Sequence, residues 1–143
     1  MPAKKILVVD DTAAHLQQMK EIVSAAGYQV ITATSGREAV ERTRSEKPNM
    51  VFMDIVMDDL DGYGACREIT RDQETSDIPV VFVSTKNQRA DRIWAEKQGA
   101  KALISKPVDS AAQMRSARWF LVLTNTTGIS LVSSSRVISR HAP

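Results

Sequence analysis

Five polar residues stand where runs of apolar side chains stop. In "ILVVDD" the run at 6–9 ends on adjacent carboxylates, Asp10 and Asp11; "MVFMD" ends on Asp54; "PVVFVS" ends on Ser84; and "KALISKP" runs into Lys106 just ahead of Pro107. Consecutive apolar residues of this kind suit strands covered on both faces, and in an open parallel sheet ligands bind at the carboxyl ends of the strands. All five groups are therefore expected on one rim. Three carboxylates drawn together in a partly dry cleft repel one another at a cost of several kcal/mol unless a cation relieves them. An all-oxygen donor set suits a hard divalent ion, and Mg²⁺, which keeps some of its water and shares coordination with phosphoryl groups, fits best. A carboxylate so placed can act as a nucleophile once metal and ammonium neutralise its neighbours, and both also stabilise the equatorial oxygens of a transferring phosphoryl group. Taken singly, each acid would serve equally well at a strand end or as a helix cap. As a set, an acid pair, an aspartate, a hydroxyl and a Lys-Pro at the ends of strands one, three, four and five would seldom arise by chance.

The elements that must position these groups alternate in type. Strands are predicted at 5–9, 28–33, 50–54, 79–84 and 101–105, with helical patterns between them. In "AAHLQQMKEIVSAAG", Leu16, Met19, Ile22 and Val23 share one helical face, and Gly27 supplies the stop. "SGREAVERTRSEKP" has Ser35 as N-cap with Glu38 three residues on, a capping-box spacing, and must stop before Pro48. A third helix is predicted over 64–72, and a fourth over "QRADRIWAEKQG", ending at Gly99. Trp94, at helical spacing from Ala90, reads as packing rather than as a ligand platform. Strand and helix in alternation predict an α/β fold, a doubly wound five-stranded parallel sheet with helices on both faces.

Composition fits one domain: 143 residues, 43% hydrophobic and 25% charged. The longest apolar runs fall far short of a membrane span, and the lysines near the N-terminus precede an apolar run that is too short for a signal peptide and ends in aspartates. A cytoplasmic protein is expected. The single cysteine, Cys66, excludes an internal disulfide and reads as a small buried apolar residue. The net charge of +2 conceals an asymmetry, because residues 1–110 hold 15 Lys and Arg against all 17 acids, whereas 111–143 hold four Arg and no acid. Four dispersed arginines form no dense patch, which argues against nucleic-acid binding. "VDSAAQMRSARWF" can begin a fifth helix. Beyond it, the Ser-, Thr- and β-branched-rich stretch at 121–143 reads as strand-like or disordered, with a hairpin conceivable at 125–128.

With these residues assembled, the chain resembles a response-regulator receiver domain of the chemotaxis-regulator type. "VVDD" (8–11), "VFMDIVMDDLDG" (51–62), "IPVVFVST" (78–85) and "SKPVD" (105–109) carry the resemblance. It implies a flavodoxin-like sheet of order 2-1-3-4-5, with a receiver domain over 4–119 and an atypical tail over 120–143. It also implies that Asp54 accepts a phosphoryl group from a phosphohistidine, and that Asp10, Asp11 and Asp54 hold Mg²⁺ with the backbone carbonyl of Val56. Lys106 would pair with the phosphoryl oxygens, Ser84 would hydrogen-bond the phosphoryl group, and Pro107 would be cis. Departures from the family pattern stand out: Met57 is followed by Asp58 and Asp59 rather than proline, and Leu103 replaces a frequent aromatic. Val56 and Lys86 occupy positions that tune phosphoryl lifetime in the family. An apolar Val56 offers no general base to a water, which predicts slow self-hydrolysis.

The expected function is that of a stand-alone phosphorylation switch that signals by binding protein and catalyses only its own phosphorylation and dephosphorylation. Its partners would be a histidine kinase or phosphotransfer domain upstream and a motility or signalling protein downstream. The wording of "ETSDIPV" and "GAKALISKPVD" resembles receivers that serve type IV pilus twitching motility. Two alternatives are a receiver fragment of a truncated DNA-binding regulator and an aspartyl-phosphate phosphatase of the haloacid dehalogenase class. The latter wants Asp-x-Asp after strand one, whereas here the acids are adjacent.

Overall fold

Strands with no polar face must be covered on both sides, which a sheet of parallel strands joined by helices achieves. The computed structural model describes residues 4–86 and 88–106. Within them run β1 (Lys5–Val9), α1 (Ala13–Ala25), β2 (Gln29–Ala33), α2 (Gly36–Glu46), β3 (Met50–Met53), α3 (Gly62–Arg71), β4 (Val80–Ser84), α4 (Arg89–Lys97) and β5 (Ala102–Ser105). The order across the sheet is β2-β1-β3-β4-β5 and every pairing is parallel. This is the doubly wound α/β fold that the sequence pattern predicts.

Alternate residues of each strand feed two cores. Leu7, Val9, Val51, Met53 and Phe82 pack with Ala39, Val40, Cys66, Ile69 and Ala95 from α2, α3 and α4. On the other face Ile6, Val8, Phe52, Val81 and Val83 meet Met19 and Val23 of α1. Register then fixes the rim, since Val9 pairs with Met53 and Ser84 with Ser105, so the residues that follow emerge side by side.

Local chemistry sets the helix ends. Ser35 accepts a hydrogen bond from the Glu38 amide at 3.1 Å, while the Glu38 carboxylate reaches the Thr34 amide at 2.7 Å, one residue before the cap itself. α2 ends with Lys47 in the left-handed region (φ 47°), and Gly27 (φ 97°) follows the end of α1. α4 is shorter at each end than the predicted 88–99, because Gln88 precedes it, its amide held by Asp91 at 3.0 Å, and Gly99 (φ 99°) follows it. Four of the five strands likewise differ from the predicted ends by one residue.

α3 begins at Gly62, two residues earlier than predicted. Asp61 caps it, accepting from the Gly64 amide at 2.9 Å, whereas glycines at 62 and 64 depress helix propensity and hide the start. Glycine is needed at 62, since a Cβ there would overlap the Asp54 carbonyl oxygen and lie 2.8 Å from the Ile55 Cα. The Gly62 amide donates to the Ile55 carbonyl at 2.8 Å, which fastens the loop after β3. Gly62→Ala is therefore expected to lower stability by about 1–3 kcal/mol, read from urea denaturation, while Gly27→Ala, which meets open space, is expected to cost only its backbone strain.

Cys66 is buried, as expected, with its sulfur 3.3 Å from the Gln98 carbonyl, and burial pushes its thiol up to about 12. It has no nucleophilic character at neutral pH. Trp94 packs edge-to-face on Tyr63 (6.3 Å between centroids), which meets Phe82 the same way (5.4 Å), yet 47% of Trp94 remains exposed. No helix among the described residues is long and apolar enough to cross a membrane. The cis Pro107, the fifth helix, the hairpin at 125–128 and the boundary between 119 and 120 lie outside the described residues.

Candidate functional site

Each strand delivers its polar residue where the ladder ends. The Asp10 amide donates to the Ala33 carbonyl at 3.2 Å, and the Asp54 amide to the Val9 carbonyl at 3.0 Å, so both backbones are still held by the sheet. The Lys106 amide likewise donates to the Ser84 carbonyl at 3.0 Å. Asp10 is 3% exposed and Asp54 9%, whereas Asp11 is exposed. One carboxylate oxygen from each of the three lies within 4.8 Å of the others.

The side chains divide their partners. Asp10 uses Oδ1 to accept from the Thr12 amide (2.9 Å), which positions the start of α1, and Oδ2 to accept from the Lys106 ammonium (2.7 Å). Asp54 turns Oδ1 to the amide of Ile55 (2.8 Å), leaving Oδ2 3.4 Å from the same ammonium as an ion pair. Ser84 is fully buried, and its hydroxyl accepts from the Lys86 amide at 3.1 Å. The resemblance assigns Lys106 to phosphoryl oxygens; here it sits more tightly on Asp10 than on Asp54.

Burial raises the Asp54 carboxyl above the usual carboxylate range, and the nearby Asp10 charge adds to this. The Lys106 ammonium, the Ile55 amide and the Ser84 hydroxyl oppose the shift by favouring the ionised form. One ammonium cannot balance three carboxylates. The remaining negative charge and the all-oxygen donors fit a hard divalent cation such as Mg²⁺. The arrangement sets a buried carboxylate beside two further carboxylates and a lysine ammonium, the kinds of group that phosphoryl transfer uses.

The rim thus brings Asp10, Asp11, Asp54 and Lys106 together, with Ser84 beside Asp54. Val56, two residues past Asp54, is 58% exposed. Asp58 and Asp59 are also exposed, Asp59 in the left-handed region (φ 64°), which an aspartate tolerates better than most residues. Leu103 is buried in β5 and pairs with Phe82. Sequence reasoning missed His15, whose Nδ1 lies 3.1 Å from the Lys106 Nζ and 3.8 Å from Asp10 Oδ2. The available clue was its place in the first turn of α1, four residues after Asp11.

Comparison with known proteins agrees with this fold. The family described as the response regulator receiver domain matches residues 6–118. Protein PilH of Pseudomonas aeruginosa is 41% identical over 111 residues, 78% of this chain and 92% of PilH. The probable transcriptional regulator ycf27 of Cyanophora paradoxa is 36% identical over 132 residues, 92% of this chain, which spans only 54% of that regulator. Among solved structures, the CheX-CheY-BeF3-Mg²⁺ complex from Borrelia burgdorferi matches at 26% identity with a TM-score of 0.72, covering 85% of this chain and 88% of that one.

Proposed function

The chain belongs to the response regulator receiver family, and from that premise we propose that it is a phosphorylation switch of a two-component phosphorelay. Asp54 is the phosphoacceptor. One of its carboxylate oxygens bonds to phosphorus as the P–N bond to a phosphohistidine of a histidine kinase or phosphotransfer domain breaks, leaving an acyl phosphate and a free imidazole. The observation that carries this reading is the Lys106 ammonium, 2.7 Å from Asp10 and 3.4 Å from Asp54 at the edge of a three-carboxylate cluster. That ammonium is positioned to bind a phosphoryl oxygen on Asp54. Asp10, Asp11 and Asp54, with the Val56 carbonyl, hold Mg²⁺, which when bound neutralises charge on the transferring group. The Ser84 hydroxyl hydrogen-bonds the phosphoryl group and draws the following loop with it, through its bond to the Lys86 amide. With leucine at 103, this loop carries the signal in place of a rotating aromatic ring.

The switch acts by binding protein in the cytoplasm, and beyond handling its own phosphoryl group it is not an enzyme. The wording shared with pilus-type receivers and the likeness to PilH support a place in pilus-linked or chemotaxis-like motility. The likeness to ycf27 favours a second reading, the receiver part of a transcriptional regulator, distinguished by whether the reading frame continues into a DNA-binding domain. The switch itself is tested with Mg²⁺ and acetyl phosphate followed by intact mass. A gain of one phosphoryl group is expected in the wild type, and none in Asp54→Ala or in excess chelator. A gain that persists in Asp54→Ala would overturn the reading.

A further inference from the structure

The Lys106 ammonium has three hydrogens and three neighbours: Asp10 Oδ2 at 2.7 Å, His15 Nδ1 at 3.1 Å and Asp54 Oδ2 at 3.4 Å. An ammonium is donor-only, so in a hydrogen bond between the two the imidazole nitrogen is the acceptor. His15 and Lys106 are 91 positions apart and come together because one Asp10 carboxylate serves both elements. Its Oδ1 holds the Thr12 amide at the start of α1, and its Oδ2 holds the lysine that follows β5. The third residue of α1 is thereby set over the ammonium.

We propose that His15 is a positioning residue for Lys106: with Asp10 it forms two fixed supports that aim the third hydrogen of the ammonium at Asp54. This rests on the reading of Lys106 as the group that binds the phosphoryl oxygen. The longest of the three contacts is the one to Asp54, and it is the one exchanged when a phosphoryl group occupies that side. The two shorter contacts persist through the exchange. Lysine has a flexible four-carbon stem, and without the second support its ammonium samples a wider arc around Asp10. His15 touches neither Asp54 nor the transferring group, so it acts only through Lys106.

The test compares the full chain as wild type, His15→Leu and His15→Asn. His15 is half-exposed on a helix and leucine is a good helix former, so His15→Leu keeps the fold. Asparagine carries a side-chain oxygen at the same branch point as Nδ1 and can accept the same hydrogen bond. At saturating Mg²⁺, the initial rate of acetyl phosphate-dependent labelling is expected to fall about three- to tenfold in His15→Leu and to stay within about twofold of wild type in His15→Asn. A slowly exchanging Lys106 ammonium resonance is expected in wild type and His15→Asn and lost in His15→Leu, a readout that a merely structural role would not move. Equal rates in wild type and His15→Leu would overturn the proposal, as would His15→Asn behaving like His15→Leu. A wild type that takes no label on Asp54 would instead overturn the reading of the site, and this proposal with it.

Discussion

Replacing Lys106 with methionine is expected to slow phosphorylation of Asp54 by about 10²–10³-fold, the usual effect of removing a preorganised donor from a developing oxyanion. Methionine matches the stem of lysine and removes only its charge and donors. The Lys106 side chain is 9% exposed and its ammonium lies between two buried carboxylates. The same change leaves Asp10 and Asp54 facing each other without their counter-ion, and a stability loss of up to about 3 kcal/mol is expected as well. Rates should accordingly be compared at a temperature where circular dichroism shows both proteins folded. Lys106→Arg keeps the charge but not the compact geometry and is expected to fall between the two. A Lys106→Met rate within about threefold of wild type would remove lysine from the mechanism.

Asp54→Asn is expected to stabilise the protein in the absence of divalent cations while abolishing phosphorylation. Burial and the Asp10 charge raise the Asp54 carboxyl in the folded chain, so its ionised form works against folding. A group raised in this way contributes its stability in full below the unfolded value, about 3.9, and loses it as pH rises through the folded value. Wild type and Asp54→Asn should therefore have similar Tm values below about pH 4 and diverge above it, asparagine becoming the more stable. Each kcal/mol of difference moves Tm by about 4 °C in a domain of this size. Saturating Mg²⁺ should reverse much of the gap, since a ligand at 100 times its Kd stabilises by about 2.7 kcal/mol. Differential scanning fluorimetry at pH 4 and pH 7.5, with and without Mg²⁺, reads all of this. A wild type more stable than Asp54→Asn at neutral pH without cations would show that Lys106 outweighs burial.

The strands and the rim were legible because they rest on patterns that tertiary structure rarely overrides. Consecutive apolar residues at 6–9 and 80–83 leave a parallel, doubly covered strand as the workable placement, and the residue after each run must emerge at the rim. The start of α3 was not legible, because Gly62 is required by its contact with the backbone of Asp54 and Ile55 rather than by helix propensity. Neither was the division of labour within the acid pair. Both acids lie just past β1, so the strand pattern does not settle which faces inward, and only the structure shows Asp10 buried beneath Lys106 and Asp11 exposed. His15 is hidden for a similar reason: its place four residues after Asp11 is the one local clue, and its meaning comes from a lysine 91 positions away.

The central claim is that the covalent step takes place on Asp54. Chain labelled with acetyl phosphate and Mg²⁺, reduced with borohydride and digested, tests it most directly, because an aspartyl phosphate is reduced to homoserine while a free carboxylate is untouched. Homoserine at position 54, and at neither 10 nor 11, is the result predicted here. Homoserine at 10 or 11 with aspartate intact at 54 would contradict it, as would labelled protein that yields no homoserine at all.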